Sequence, residues 1–332
     1  MADNPEGKDF YLKTAVDVAV DLRSWLAEWV LVDLVKAEDI TAASNDLLAF
    51  AKDFGAAEAA AEGEKEIEAI ASSATKKLCD LNKEGKANTV WGHDYASGLT
   101  HSLRRGARWV TSNPCKIQLF KKDFPDYYQE LIAEIKRENA GATPAVMAAQ
   151  MFTKVCAISA RALYPIFKAT NKQYGFVCMQ VDSRDIKDTD AMIKQVEFWY
   201  DAMKKELGVE EPNVVFKLPA VEAALEAARI LLEKNYKLCM TMNFTVTQHL
   251  RFAEILSKGK KNGYLVLMGD QLDDQIAKEL EAKGVENAKD IAKHGAEAVI
   301  RKSYRLLAEK GYKNLSIMTA AVCGPWHIQN SF

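Results

Sequence analysis

Apolar positions in the N-terminal part of the chain recur at three- and four-residue steps. Val18, Leu22, Trp25, Trp29, Val32 and Val35 place a wide apolar stripe along one side of a helix, and that stripe must be buried against something. Glu38–Phe54 repeats the pattern more weakly, and residues 56–78 are rich in Ala, Glu and Lys, which favour helix. Residues 9 to about 85 therefore read as helix throughout, and residues 1–85 as a helical N-terminal extension of two or three helices.

From about residue 86 the texture changes. Short apolar runs appear at Thr89–Trp91, Arg108–Thr111, Gly175–Val181, Asn213–Leu218, Lys237–Met242, Tyr264–Met268 and Leu315–Ala320. Amphipathic segments lie between them at Tyr127–Arg137, Pro144–Thr170, Thr189–Leu207, Val221–Asn235, Thr247–Ser257 and Ala288–Lys310. Repeated strand-then-helix units predict a parallel sheet with helices outside, either doubly wound or a (β/α)8 barrel. No GxGxxG or GxxxxGK[ST] follows any of the strands, which removes the best support for a nucleotide-binding doubly wound sheet. HExxH, GxSxG and EF-hand patterns are missing too, which speaks against metallopeptidase, serine hydrolase and calcium-binding readings.

Composition narrows the class further. The 332 residues carry 44 basic and 46 acidic side chains, a net charge of −2 without long single-sign blocks, so nucleic acid is not the expected partner. Six cysteines are scattered without CxxC spacing and read as reduced thiols. The start, MADNPEGKDF, has acidic residues where a signal peptide has a basic region, and Val18–Val35 is interrupted by Asp21, Arg23, Glu28 and Asp33. A cytoplasmic protein without a membrane span is expected.

The most informative segment for chemistry is Asn213–Ala220, whose apolar centre predicts burial on both faces although Lys217 stands near its end. Alternation points Val215 and Lys217 one way, Val214 and Phe216 the other. A lysine directed into a barrel is desolvated, which favours the neutral amine, a nucleophile able to condense with a ketone into a Schiff base. The same residue at a strand end could instead extend its ammonium to water. Asp94 and Asn113 stand just beyond the Thr89–Trp91 and Arg108–Thr111 strands, where barrel enzymes keep catalytic groups and where Asp and Asn also serve as turn formers and caps. Gln180 and Thr241 lie in or at the end of strongly apolar strands and need buried partners.

In this order the residues resemble the transaldolase family of class I Schiff-base aldolases. That family has an aspartate after the first strand, T-[TS]-N-P after the second, [EQ]-V-D-x-R at the third, K-[LIV]-P ending the fourth and a threonine ending the fifth. This chain has Asp94, Thr111-Ser112-Asn113-Pro114, Gln180-Val181-Asp182-Ser183-Arg184, Lys217-Leu218-Pro219 and Thr241, over roughly residues 88 to 323. The resemblance implies that Lys217 forms the Schiff base and that Asp94 moves the proton of the hydroxyl on the carbon being released. It also implies that Asn113 binds ketose hydroxyls, that Thr241 and Gln180 position a shuttling water, and that no metal or cofactor is needed. His93, beside Asp94, and Arg184 are further candidate substrate contacts. The implied function is cleavage or transfer of a dihydroxyacetone-type unit between small ketose and aldehyde substrates, in carbohydrate metabolism of the pentose phosphate type.

The departures shape the alternatives. Transaldolases proper carry glutamate where Gln180 stands, and an amide orients a water without taking its proton. Fructose-6-phosphate aldolases, which use free dihydroxyacetone, share the glutamine but add a tyrosine on the sixth strand, and Leu265–Asp270 contains none; Tyr264 is too early. The family holds the substrate phosphate with two arginines, whose places here fall at Asp270 and at Cys323 or its neighbour. A substrate other than a standard sugar phosphate is therefore expected, with Arg104, Arg105, Lys116 and His327 as alternative anion contacts or plain surface residues. A non-catalytic barrel binding a sugar or a protein is the rival reading. Seven strands are used by Ala320, so the expected fold is an α/β (β/α)8-type barrel over residues 86–332 that lacks its last β/α unit. Truncation is the favoured explanation. An open edge is also compatible with cover from the N-terminal helices or a homo-oligomer.

Overall fold

A computed structural model describes residues 5–32, 34–94, 98–322, 324 and 326–327. They form two compact units, Met1–Val177 and Cys178–Phe332.

The first unit opens with helices α1 (Pro5–Leu22), α2 (Ala37–Asp53), α3 (Ala57–Ser72) and α4 (Ala74–Lys83), with a 3-10 turn at Leu26–Val32. The long stripe through Val35 is thus broken after Leu22, and its register is rotated. Leu12, Ala15, Val16, Ala19 and Val20 are buried, whereas Val18 is exposed. Val16 and Ala19 pack with Leu48, Ala51 and Ala60. The helices approach closely enough that a side chain at Gly63 would meet Val16 Cγ1 at 2.6 Å.

Buried charges tie α1 and α3 to the short helix α5 (Leu99–Arg104). Arg104 donates from Nε to Asp21 Oδ1 at 2.6 Å, from Nη2 to Asp17 Oδ1 at 3.2 Å and from Nη1 to Glu66 Oε1 at 3.3 Å. It is 8% exposed and committed to three carboxylates, so neither the surface role nor the anion-contact role holds for it. Arg108 pairs with Glu28 at 3.2 Å, and Glu28 also pairs with Lys83.

Strand β1 (Trp109–Thr111) is followed by α6 (Ile117–Asp123), α7 (Pro125–Glu138) and α8 (Pro144–Ala169). Thr143 caps α8 by accepting from the Val146 amide at 3.4 Å, with Pro144 in the first turn, where its missing N–H costs nothing. The predicted strand at Thr89–Trp91 appears two residues later as a short parallel pairing: Arg108 N–H donates to the Trp91 carbonyl, His93 N–H to Trp109 and Thr111 N–H to His93, each at 2.9 Å, around a His93–Val110 bridge. Trp109 packs so closely on Gly92 that a Cβ there would lie 2.2 Å from its Cδ1.

Strand β2 (Phe176–Gln180) crosses the boundary between the units. The second unit then alternates α9 (Thr189–Leu207), β3 (Val214–Pro219), α10 (Glu222–Glu233), β4 (Leu238–Asn243), α11 (Val246–Leu256), β5 (Gly263–Met268), α12 (Gly269–Ala282), α13 (Ala288–Ala292), α14 (Gly295–Glu309) and β6 (Leu315–Ala320). Helix starts are capped by side chains, Asp188 accepting from Ala191 N at 2.9 Å and Thr245 from Gln248 N at 3.1 Å. The strands are hydrogen-bonded in sequence order, β1 to β6, and the pairs β3–β4, β4–β5 and β5–β6 are parallel. All six residues of β3 are buried, as expected for a parallel strand covered on both faces. Among the described residues the sheet has six strands, one fewer than the sequence pattern suggests.

Candidate active site

In the second unit, alternation along β3 puts Val215, Lys217 and Pro219 on one face. The register sets Lys217 opposite Cys239 and Pro219 opposite Thr241 of β4. The Val181 amide donates to the Lys217 carbonyl at 3.1 Å, which brings Gln180 level with Lys217 on the other side. Gln180, Lys217 and Thr241 therefore share one face at the C-terminal halves of three adjacent strands. Lys217 is only 8% exposed, and among the described residues no hydrogen bond or ion pair engages its ammonium.

A register irregularity lies beside this group. Between Met240 and Asn243 the β4–β5 pairing shifts, and Met242 adopts φ +62°, a left-handed conformation uncommon for a residue with a side chain. The shift turns Asn243 inward, where its Nδ2 donates to the carbonyls of Met240 at 2.7 Å and Val266 at 3.2 Å. Thr241 stays on the Lys217 face, its hydroxyl directed to Met268 Sδ at 3.7 Å.

The same face carries Cys239, level with Lys217, and Cys178 and Lys237 one layer below. Burial pushes the Cys178 thiol up, as does its hydrogen bond with Cys239, while Lys217 and Lys237 act in the opposite sense. Lys237 is brought down to about 7, first by burial and then by the like charge of Lys261. Its ammonium lies 5.7 Å from the Tyr264 ring centroid. Cys239 was not singled out by sequence reasoning; its position two residues before Thr241 was the available signal.

Arg184 occupies a 3-10 turn after β2, where its exposed guanidinium forks onto Asp182, Nε lying 3.0 Å from both carboxylate oxygens. That hydrogen bonding holds the Asp182 carboxyl below the usual carboxylate range. Asp270 sits in the first turn of α12, its backbone N–H donating to Ala321 at 3.0 Å, and among the described residues its carboxylate has no partner. His327 is buried against Asp273, Nε2 to Oδ2 at 2.7 Å, while Asp273 Oδ1 accepts from the Ala296 amide at 3.0 Å. Its imidazole is thus occupied within the fold rather than presented to an anion. Cys323 lies outside the described residues.

In the first unit, a second cluster forms at the end of β1. The exposed Asp94 carboxylate accepts from Thr111 Oγ1 at 2.7 Å and lies 3.5 Å from Lys116 Nζ. Asn113 caps the following turn, accepting from the Lys116 amide at 3.2 Å. The His93 ring is hydrogen-bonded to Ser102 Oγ at 2.9 Å. Lys116, a candidate anion contact by sequence, is thereby a neighbour of Asp94.

These features define a parallel α/β protein with a buried lysine, unpaired among the described residues, near the C-terminal end of a central strand. The chain belongs to the transaldolase/fructose-6-phosphate aldolase family, whose profile matches residues 99–332. It is similar to the transaldolase of Arthrobacter sp. (strain FB24), 26% identical over 240 residues that make up 67% of this chain and 62% of that protein. The transaldolase of Mycobacterium ulcerans (strain Agy99) is 29% identical over 42% of this chain and 35% of its own length. That of Neisseria gonorrhoeae (strain ATCC 700825 / FA 1090) is 24% identical over 48% and 43%. The match thus spans between about a third and two thirds of these relatives' lengths. Among the described residues no helix is long and apolar enough to cross a membrane.

Proposed function

We propose that the protein is a Schiff-base enzyme that cleaves or transfers a dihydroxyacetone-type unit of a ketose through Lys217. The observation that carries this reading is a lysine 8% exposed, without an ionic partner among the described residues, flanked by Gln180 and Thr241 on one sheet face. The Lys217 amine attacks the ketone carbonyl, and loss of water leaves an iminium. The iminium accepts the electron pair of the adjacent carbon–carbon bond as it breaks, while Asp94 takes the proton of the neighbouring hydroxyl and an aldehyde leaves. Transfer to an acceptor aldehyde reverses these movements, and hydrolysis returns the amine. Gln180 and Thr241 orient the water that enters and leaves. Asn113, His93 and Arg184 contact the substrate hydroxyls.

The fold reading that accompanies this function is a (β/α)8-type barrel with a helical N-terminal extension.

Asp270 sets the substrate class. A half-buried carboxylate at the end of β5, without a partner among the described residues, repels a phosphate and accepts hydrogen bonds from hydroxyl or amino groups. The substrate is therefore an uncharged or amino-bearing ketose. Gln180 favours a second reading within the same chemistry, simple aldol cleavage releasing free dihydroxyacetone, because fructose-6-phosphate aldolases, which use free dihydroxyacetone, carry glutamine at this position. Product analysis with neutral and phosphorylated ketoses, with and without an acceptor aldehyde, tests both. Turnover of phosphorylated ketoses alone overturns the substrate class, and products only in the presence of acceptor overturn the lyase reading.

A further inference from the structure

Asp270 and Asp273 stand three residues apart at the start of α12 and so lie on one face of that helix. Asp270 is half-buried, whereas Asp273 is only 8% exposed. A buried carboxylate is costly unless its oxygens are engaged. Those of Asp273 are engaged: Oδ1 accepts from the Ala296 amide in the first turn of α14 at 3.0 Å, and Oδ2 lies 2.7 Å from Nε2 of the buried His327. Asp273 is thereby occupied within the fold. The Asp270 carboxylate, without a partner among the described residues, is the one on this face that a substrate can meet.

The His327 ring also fixes the backbone from which Asp270 projects. It lies against Gly269, where a Cβ would stand 3.3 Å from Nε2 of His327 and 3.6 Å from Cβ of Ala296, so β5 passes into α12 through a gap with little room for a side chain. The Asp270 amide itself donates to the Ala321 carbonyl at 3.0 Å. The chain that follows β6 therefore grips the start of α12 at two points, Ala321 on Asp270 and His327 on Asp273 with Gly269. Trp326 anchors the same stretch elsewhere, with Lys293 Nζ 5.3 Å from its ring centroid.

We propose that His327 is a positioning residue for substrate selection: through its bond to Asp273 and its contact with Gly269 it sets the place of the Asp270 carboxylate, and with it the fit of an uncharged or amino-bearing ketose. This inference rests on the reading of Asp270 as the group that sets the substrate class. His327 acts from inside the fold and does not touch the substrate. Without its ring, Asp273 Oδ2 is left buried with no donor and the first turn of α12 relaxes, so Asp270 loses its aim. Lys217 lies two strands away on β3 and keeps its place. The effect therefore falls on substrate binding rather than on the chemical step.

The test is steady-state turnover of a neutral ketose by the full chain and its variants. His327→Leu should raise KM about fivefold or more while kcat changes less than about twofold, the pattern of a lost binding contact. His327→Gln, whose side-chain amide donates to Asp273 from the place of Nε2, should bring KM back to within about twofold of the parent. Gly269→Ala keeps every hydrogen-bonding group but presses a methyl on the ring; it should raise KM in the same way, and it decides the matter if His327→Leu does not fold. Asp270→Ala and the double variant Asp270→Ala/His327→Leu should share one KM, because a residue acting only through Asp270 has no further effect once that carboxylate is gone. Additive effects in this cycle, no recovery in His327→Gln, or a parent-like KM in both His327→Leu and Gly269→Ala overturns the positioning role and leaves Asp270 as the selecting group. A parent-like KM in Asp270→Ala overturns the reading of Asp270 itself, and the positioning role with it.

Discussion

His249 of α11 is fully buried, its Nδ1 hydrogen-bonded to Ser303 Oγ of α14 at 2.8 Å and its Nε2 without a partner. Burial holds its imidazole down to about 4, against about 6.5 in an unfolded chain. Between those values the unfolded chain binds the extra proton, so stability falls as pH falls. At pH 5 the unfolded histidine is almost entirely charged and the folded one almost entirely neutral. Integrating from pH 8 to pH 5 assigns about 2 kcal/mol of lost stability to this residue, rising to about 3 kcal/mol below pH 4. Urea unfolding of the parent and of His249→Gln at pH 8 and pH 5 isolates the contribution from that of the carboxylates. The pH-dependent loss should be about 2 kcal/mol smaller in the variant. Equal losses in the two proteins would refute the claim that α11 and α14 exclude a charged imidazole.

Other substitutions test the backbone geometry and the substrate end. Gly175 has φ +81°, and a Cβ there would lie 2.3 Å from Phe167 N and 2.7 Å from Leu163 O, so Gly175→Ala should cost about 2–3 kcal/mol in thermal or urea unfolding. At Gly208, φ +65° with nothing within 4 Å, the same change should cost only about 1 kcal/mol. Asn243→Ala leaves two buried carbonyls without their donor and should cost about 2 kcal/mol by urea unfolding. Asp270→Arg should raise kcat/KM for phosphorylated relative to neutral ketoses by about tenfold or more, one charge-assisted contact being about 1.5–3 kcal/mol.

The parallel sheet was legible because its strands are continuous apolar runs, and β3 through β6 fall within a residue or two of the predicted segments. Lys217 was legible for the same reason, as a charge inside such a run. The first predicted run is displaced rather than lost, since residues 91–93 bond in parallel to 108–111 two residues beyond where the apolar run Thr89–Trp91 placed the strand. Arg104 was less legible. Its carboxylates are contributed by Asp17, Asp21 and Glu66, and nothing local distinguishes a buried clamp from a surface arginine. The rotated stripe of α1 reflects which helices it meets, Leu48 and Ala60 selecting Val16 and Ala19 rather than Val18. Period-two spacing placed Cys239 and Thr241 on one face, whereas their register against Lys217 and Pro219 depends on how β3 and β4 pair, which neither strand encodes alone.

The central claim is that Lys217 is the nucleophile, and borohydride trapping tests it most directly. Incubation of the protein with dihydroxyacetone or a neutral ketose, reduction and peptide mass mapping should find one adduct, on Lys217, absent from Lys217→Arg. An adduct confined to another amine, such as the buried Lys237 whose value is brought down to about 7, or no adduct with any ketose, would contradict the account.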